Sequence, residues 1–270
     1  MGELATAAGQ EVIIEIGRMP VQVRSESPEF LRMLEGRYSG FLSPGARPVF
    51  EFDVELVAPG RITEEDDVAV RFESGRWLIK RGDLFAEWEP MSRRGRIVQS
   101  PNPYSIDTAL RIIHSLILAR EGGLLVHAAS AVRNCKAFLF AGISGAGKTT
   151  IARLAPADAT LLSDEISYLR RNGRGYVAYG TPFAGELAKV GENVQAPLAA
   201  LYLLQKGPEN TMEPIRASEA ARMLLENVLF FAQDTELVGL VFESACELVR
   251  HVPVYRLTFF PDQRVWEMIA

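Results

Sequence analysis

The chain has 270 residues, 48% of them apolar and 23% charged, with a formal net charge of −5. That composition suits a globular chain of one or two domains rather than a disordered one. The acidic balance argues against a nucleic-acid footprint and against docking on anionic membranes.

From the N-terminus, Met1-Gly2-Glu3-Leu4 lacks the basic and apolar stretches of a signal peptide. Short apolar-polar alternations then predict strands over 11–16, 49–57, 68–72, 77–80 and 84–88, with turns at Ser74-Gly75 and Arg81-Gly82. A short helix is expected over Pro28–Leu34. Residues 1–100 thus read as a β-rich domain or subdomain without a catalytic constellation. Two prolines in Ser100-Pro101-Asn102-Pro103 mark a boundary, and 101–270 forms the second domain.

Ile106, Leu110, Ile113, Leu116 and Ile117 recur at helical spacing over 105–120, and Gly122-Gly123 ends that helix. Strands are then expected over 124–132, 137–141 and 160–163, with a short helix from Thr149 that Pro156 stops. A hairpin over 166–170 and 175–179 follows, then a buried strand at 198–204 and two helices. The second helix carries the stripe Leu237, Val241, Ala245, Leu248, and a strand over 254–260 completes the pattern. No apolar run reaches membrane-spanning length. Cys135 and Cys246 fit no metal spacing and read as reduced thiols, which sets a cytoplasmic expectation. His114 and His251 have no motif partners and read as structural.

Gly142-Ile143-Ser144-Gly145-Ala146-Gly147-Lys148-Thr149-Thr150 fits the phosphate-loop pattern G-x-x-x-x-G-K-[ST] without a mismatch. An apolar strand precedes it and a helix follows, as the pattern requires. Gly142, Gly145 and Gly147 let the backbone turn sharply and approach a ligand. The amides of this stretch, from Ser144 and Ala146 through Thr150, can then form an anion nest at a helix start. Lys148 reaches the β- and γ-phosphates of such a ligand, and the Thr149 hydroxyl is a Mg²⁺ ligand.

Asp164 and Glu165 follow the next apolar strand. A carboxylate at the carboxyl end of such a strand can hold Mg²⁺ or take a proton from an attacking hydroxyl. Asp164 comes only 164 − 148 = 16 positions after Lys148, so the acidic strand is the immediate next one.

Leu125-Val126-His127-Ala128, Phe138 through Thr149, and Leu161-Leu162-Ser163-Asp164-Glu165 together resemble the HPr kinase/phosphorylase catalytic domain and its kinase-like relatives. The resemblance is carried by 124–166 and extends at most over 120–260. That family also looks like the phosphoenolpyruvate carboxykinases around the nucleotide site. The resemblance implies an α/β fold with α+β character, a phosphate-loop catalytic domain of this type. It also implies ATP and Mg²⁺ as cofactors and phosphoryl transfer to a serine or other hydroxyl of a protein, peptide or small molecule. Asp164 then matches the general base, and His127 a histidine that orients it. Glu186, in Gly180-Thr181-Pro182-Phe183-Ala184-Gly185-Glu186, matches a second acidic metal ligand. The resembled family forms oligomers, which implies a homo-oligomer here.

This chain departs from the family at four points. Thr149 stands for the usual serine, Thr150 for an acidic residue and Ala128 for a glycine. The later glutamate–arginine–glycine signature is absent, so neither HPr as acceptor nor reversal of phosphorylation is implied. Two other readings stay open: a nucleotide-binding regulatory module without transfer, and a carboxykinase-like enzyme acting on a small acid.

Overall fold

The computed structural model of this chain describes residues 11–59, 68–173, 175–185, 187 and 190–269. They divide into two compact units. The first runs to Ile113 and takes in Phe231–Asp234; the second comprises His114–Phe230 and the chain from Thr235.

The first unit is one seven-stranded sheet with a helix. Its elements are β1 (Glu11–Ile16), β2 (Met19–Ser25), α1 (Pro28–Arg37), β3 (Phe50–Leu56), β4 (Ala69–Glu73), β5 (Arg76–Arg81), β6 (Leu84–Glu89) and β7 (Arg94–Gln99). Sheet order is β1-β2-β3-β7-β6-β5-β4, with β2, β3 and β7 mutually parallel. Two strands fall outside the sequence expectation. In β2, Met19, Val21 and Val23 do alternate with Pro20, Gln22 and Arg24, and Gly17 and Arg18 both take positive φ and turn the chain straight back along β1. In β7, Arg94-Gly95-Arg96 looks like a loop. Gly95 is there to admit Phe52, whose Cε1 would lie 2.4 Å from a Cβ at that position.

Helix α1 starts where Ser27 Oγ accepts the Phe30 N–H at 3.2 Å, with Pro28 at the first position. One face of the sheet alternates charge by strand. Glu51 of β3 meets Arg24 of β2 at 3.0 Å and Arg94 of β7 at 3.4 Å. Such exposed pairs contribute little each, but they keep the open face solvated.

Helix α2 (Pro103–Glu121) is capped by Asn102, whose Oδ1 accepts the N–H groups of Tyr104 at 2.9 Å and Ser105 at 3.0 Å. The division between the units falls within α2, thirteen residues beyond Ser100, where the prolines suggested it. Prolines there begin a helix, since their missing N–H costs nothing in the first turn.

The second unit contains β8 (Leu124–Arg133), β9 (Lys136–Ala141), α3 (Lys148–Arg153), β10 (Thr160–Ser163), β11 (Ile166–Asn172), β12 (Gly175–Tyr179), β13 (Gln195–Lys206), β14 (Thr211–Pro214), α4 (Ala217–Leu225), α5 (Thr235–His251) and β15 (Val254–Phe259). Strand β8 is the organising element. Along one side it pairs with β9; along the other it pairs first with β11 and then with β10. The pairing closes a circuit, β8-β9-β13-β12-β11 and back to β8. Strand β13 runs parallel to both β9 and β15.

The core beside α3 is built on Phe138, Phe140, Ile151, Tyr202, Phe259 and Trp266. The α5 stripe Leu237, Val241, Ala245 and Leu248 is buried throughout. Among the described residues, no helix is long and apolar enough to cross a membrane.

Candidate functional site

The glycine loop leaves β9 at Ala141 and enters α3 at Lys148. Each glycine has a distinct geometric reason. Gly145 and Gly147 have φ of 77° and 109°, values that L side chains avoid. A Cβ at Gly142 would lie 2.8 Å from the Ala146 Cβ. The loop tip, Ile143 to Gly145, is exposed, whereas Ala146 and Lys148 are buried.

Lys148 folds back over its own loop. Its Nζ donates to Gly142 O at 2.7 Å and to Ile143 O at 3.3 Å. The Ala146 N–H likewise closes a turn onto Ile143 O at 3.0 Å. Helix α3 has only six residues; its dipole is correspondingly small, and the groups here suited to an anion are chiefly the loop amides and Lys148. The helix is anchored from below by Trp266, whose Nε1–H donates to Ile151 O at 3.0 Å. Thr149 and Thr150, in its first turn, are both partly exposed.

Asp164 and Glu165 follow the carboxyl end of β10, on the residues the apolar run indicates, and β11 begins right after them at Ile166. Strands β10 and β11 both run antiparallel along the same side of β8, Ser163 opposite Ser130 and Ile166 opposite His127. Asp164-Glu165 is therefore a break within one extended path, with a register shift just before it. Ser163 stabilises the break: its Oγ accepts the N–H of Ile166 at 2.8 Å and of Glu165 at 3.2 Å.

That break lies level with the glycine loop. The Ala128 N–H donates to Glu165 O at 2.9 Å, and across the other side of β8, Ala128 stands opposite Ala141. Two strand spacings separate the acidic turn from the loop's entry, roughly 10 Å. His127 is adjacent, partly exposed, opposite Ile166, with its N–H on Asn227 O at 2.7 Å. Alternation puts it on the same face of β8 as Ala129 and Ala131, which pack in the core with Ile151 of α3.

The Asp164 side chain is 3% exposed. Its Oδ1 accepts the Gly185 N–H at 2.8 Å and its Oδ2 the Leu187 N–H at 2.9 Å. Sequence reading passed over this contact, although the glycine in Phe183-Ala184-Gly185 was its signal. A Cβ on Gly185 would stand 2.8 Å from Glu165 Cβ. Glu186 lies outside the described residues. No group of three or more His, Cys, Asp or Glu poised for a metal occurs among the described residues. The donors present, a threonine hydroxyl and one or two carboxylates, fit Mg²⁺, which takes few protein ligands beside phosphate and water. They do not fit an all-protein metal cage.

A cavity of 890 Å³ lies elsewhere, in the first unit beside Ser25–Glu29, Asp53–Leu56 and Arg96. Several of its charges are paired, as Arg96 with Glu55 and Arg24 with Asp53, and it holds no reactive arrangement. The chemistry-bearing residues gather instead around β8.

Two sheets with few helices define a mixed α/β protein. The family model described as SynChlorMet cassette protein ScmC matches residues 103–270, more than half of the chain, and the chain belongs to that family. Among solved structures, the chain is similar to the Hpr(Ser) kinase/phosphatase from Coxiella burnetii, at 13% identity and a TM-score of 0.28 over 54% of this chain and 90% of that one. At that TM-score no residue correspondence is drawn between the two. No curated protein matches the chain.

Proposed function

We propose that the chain binds ATP with its phosphates in the 142–150 loop and transfers the γ-phosphoryl group to a hydroxyl positioned by Asp164. The observation that carries this is the place of Ala128: hydrogen-bonded to Glu165 on one side and paired with Ala141 on the other. A phosphate-loop entry and a buried carboxylate are thereby held two strands apart on one framework.

In this reading Lys148 exchanges its bonds to Gly142 O and Ile143 O for phosphate oxygens, and the loop amides hold the rest of the chain of phosphates. Thr149, with Asp164 or Glu165, would hold Mg²⁺, which supplies neutralisation of charge on the transferring group. The acceptor oxygen forms a bond to the γ-phosphorus as the bond to the departing ADP oxygen breaks, and the acceptor proton passes to an Asp164 oxygen. His127, on the neighbouring strand position, orients the group that accepts it. Positioning and charge neutralisation supply most of the acceleration. The acceptor class is a serine or other hydroxyl on a protein, peptide or small molecule, and the site of action is the cytoplasm.

The test is incubation with γ-labelled ATP and either cell lysate or candidate peptides. Label should move to an acceptor with the natural chain, and not with Lys148→Ala. Asp164→Asn should keep ATP binding and lose transfer; transfer at the natural rate by that variant ends the reading. One observation favours a second reading, a nucleotide-binding module without transfer: both Asp164 oxygens already accept backbone N–H groups. That reading predicts ATP binding with no labelled acceptor.

A further inference from the structure

We propose that the backbone amides of Gly185 and Leu187 are a clamp that positions the Asp164 carboxylate for phosphoryl transfer. This rests on the function proposed above and adds to it two positioning groups that lie outside the phosphate loop and the acidic turn.

Three features carry the inference. The bonds are divided, Gly185 N–H to Oδ1 at 2.8 Å and Leu187 N–H to Oδ2 at 2.9 Å. An aspartate's terminal torsion is otherwise broad, and one donor on each oxygen fixes it. Each oxygen keeps a second lone pair for a hydroxyl proton or a metal. Next, the approach is tight enough to require glycine: a Cβ on Gly185 would lie 2.8 Å from Glu165 Cβ and 3.1 Å from Asp164 Oδ2.

Finally, the segment carrying both amides is fastened on either side of the strand break that bears Asp164. On the β10 side, Thr181 N–H donates to Leu162 O at 3.0 Å and Glu192 N–H to Leu161 O at 2.9 Å. On the β11 side, the buried Thr181 hydroxyl donates to Ile166 O at 2.8 Å. Gly191 presses closer still, since its Cβ would stand 1.8 Å from Leu162 O. The clamp and the carboxylate therefore share one foundation.

A hydrogen bond that only stabilised the fold would change melting temperature and leave turnover intact, and the experiment separates the two. In the full chain, Leu187 is replaced by its α-hydroxy acid, which keeps the side chain and turns the amide into an ester without an N–H. The readouts are phosphate release from Mg·ATP into water, ATP affinity by titration, and thermal unfolding. In this reaction a water oxygen bonds to the γ-phosphorus, ADP departs, and the water's proton passes to Asp164. The ester variant should lower kcat at least tenfold, with KM for ATP and ATP affinity within about twofold. Gly185→Ala should do the same through crowding, and if it fails to fold the ester variant alone decides.

Unchanged kcat in the ester variant, with Asp164→Asn inactive, overturns the clamp and leaves the proposed function standing. Natural turnover by Asp164→Asn, or neither phosphate release nor a labelled acceptor with the natural chain, overturns the transfer reading and the clamp with it.

Discussion

The ring of Phe259 lies directly under Gly147, so close that a Cβ on that glycine would stand 2.6 Å from Phe259 Cζ. With φ at 109°, position 147 excludes side chains twice, by backbone strain and by overlap. Gly147→Ala should therefore cost roughly 2–5 kcal/mol, from about 1–2 of left-handed strain and about 1–3 of overpacking. Thermal unfolding should show the loss, and ATP titration should show binding weakened beyond tenfold. Adding Phe259→Leu relieves only the overlap, so the double variant should recover part of the stability but not all of it.

Ser163 has a separate consequence for the acidic turn. Its buried Oγ accepts two backbone N–H groups, from Glu165 and Ile166. Ser163→Ala leaves both donors in the interior and should destabilise by about 1–3 kcal/mol. Urea unfolding of the two chains side by side measures this. Ser163→Thr retains the acceptor and should lose less.

His114 makes stability depend on pH. It is fully buried, with Nδ1 at 3.2 Å from the Tyr168 hydroxyl. Burial, with a smaller push from the Arg170 charge, lowers its pKa from 6.5 to about 3. The folded chain thus holds the imidazole neutral where the unfolded chain protonates it. Its contribution is fully present above pH 6.5 and declines as pH falls toward 3. Between pH 7 and pH 5 the loss is about 2 kcal/mol. Denaturant unfolding at those two pH values should give a difference that much smaller for His114→Phe than for the natural chain.

In the first unit, Asp107 joins α1 to α2. Arg37 Nη2 lies 2.5 Å from its Oδ2, and the Tyr38 hydroxyl donates to its Oδ1. Burial raises the Tyr38 pKa well above the ordinary value, and the Asp107 charge raises it further, so this donor stays protonated. Asp107→Ala leaves a buried guanidinium edge and a hydroxyl without their acceptor, and should cost about 3 kcal/mol in chemical denaturation. Asp107→Asn keeps the shape but not the charge and should fall between.

Local features were legible in the sequence. The glycine loop follows from residue types in fixed order, and the strands around it from apolar runs whose ends the structure moves by one to three residues, as at β13. Strand β1 and strand β10 fall on the expected residues. Pairing between distant segments was not legible. Asp164-Glu165 follows a strand end, as the sequence indicates, and only β8, 164 − 128 = 36 residues earlier at Ala128, shows that β10 and β11 lie along one strand. Of the Gly185 and Leu187 contacts the sequence showed only the glycine, since a backbone donor has no sequence letter of its own. Strand β14, with Thr211 and Glu213 exposed, carries a single apolar residue, Met212, too little for an alternation to be read.

The circuit of strands also has an order of assembly. The β8-β9 and β11-β12 hairpins join neighbours in the chain, whereas β13 must reach both from 195–206. Until it docks, β9 and β12 each present a bare edge, and the pairing that covers β9, Leu201 with Leu139, spans 201 − 139 = 62 residues, the kind of contact that forms slowly. Refolding at high concentration should meet its hazard in that interval, when another molecule's β13 can fill the gap as readily as its own.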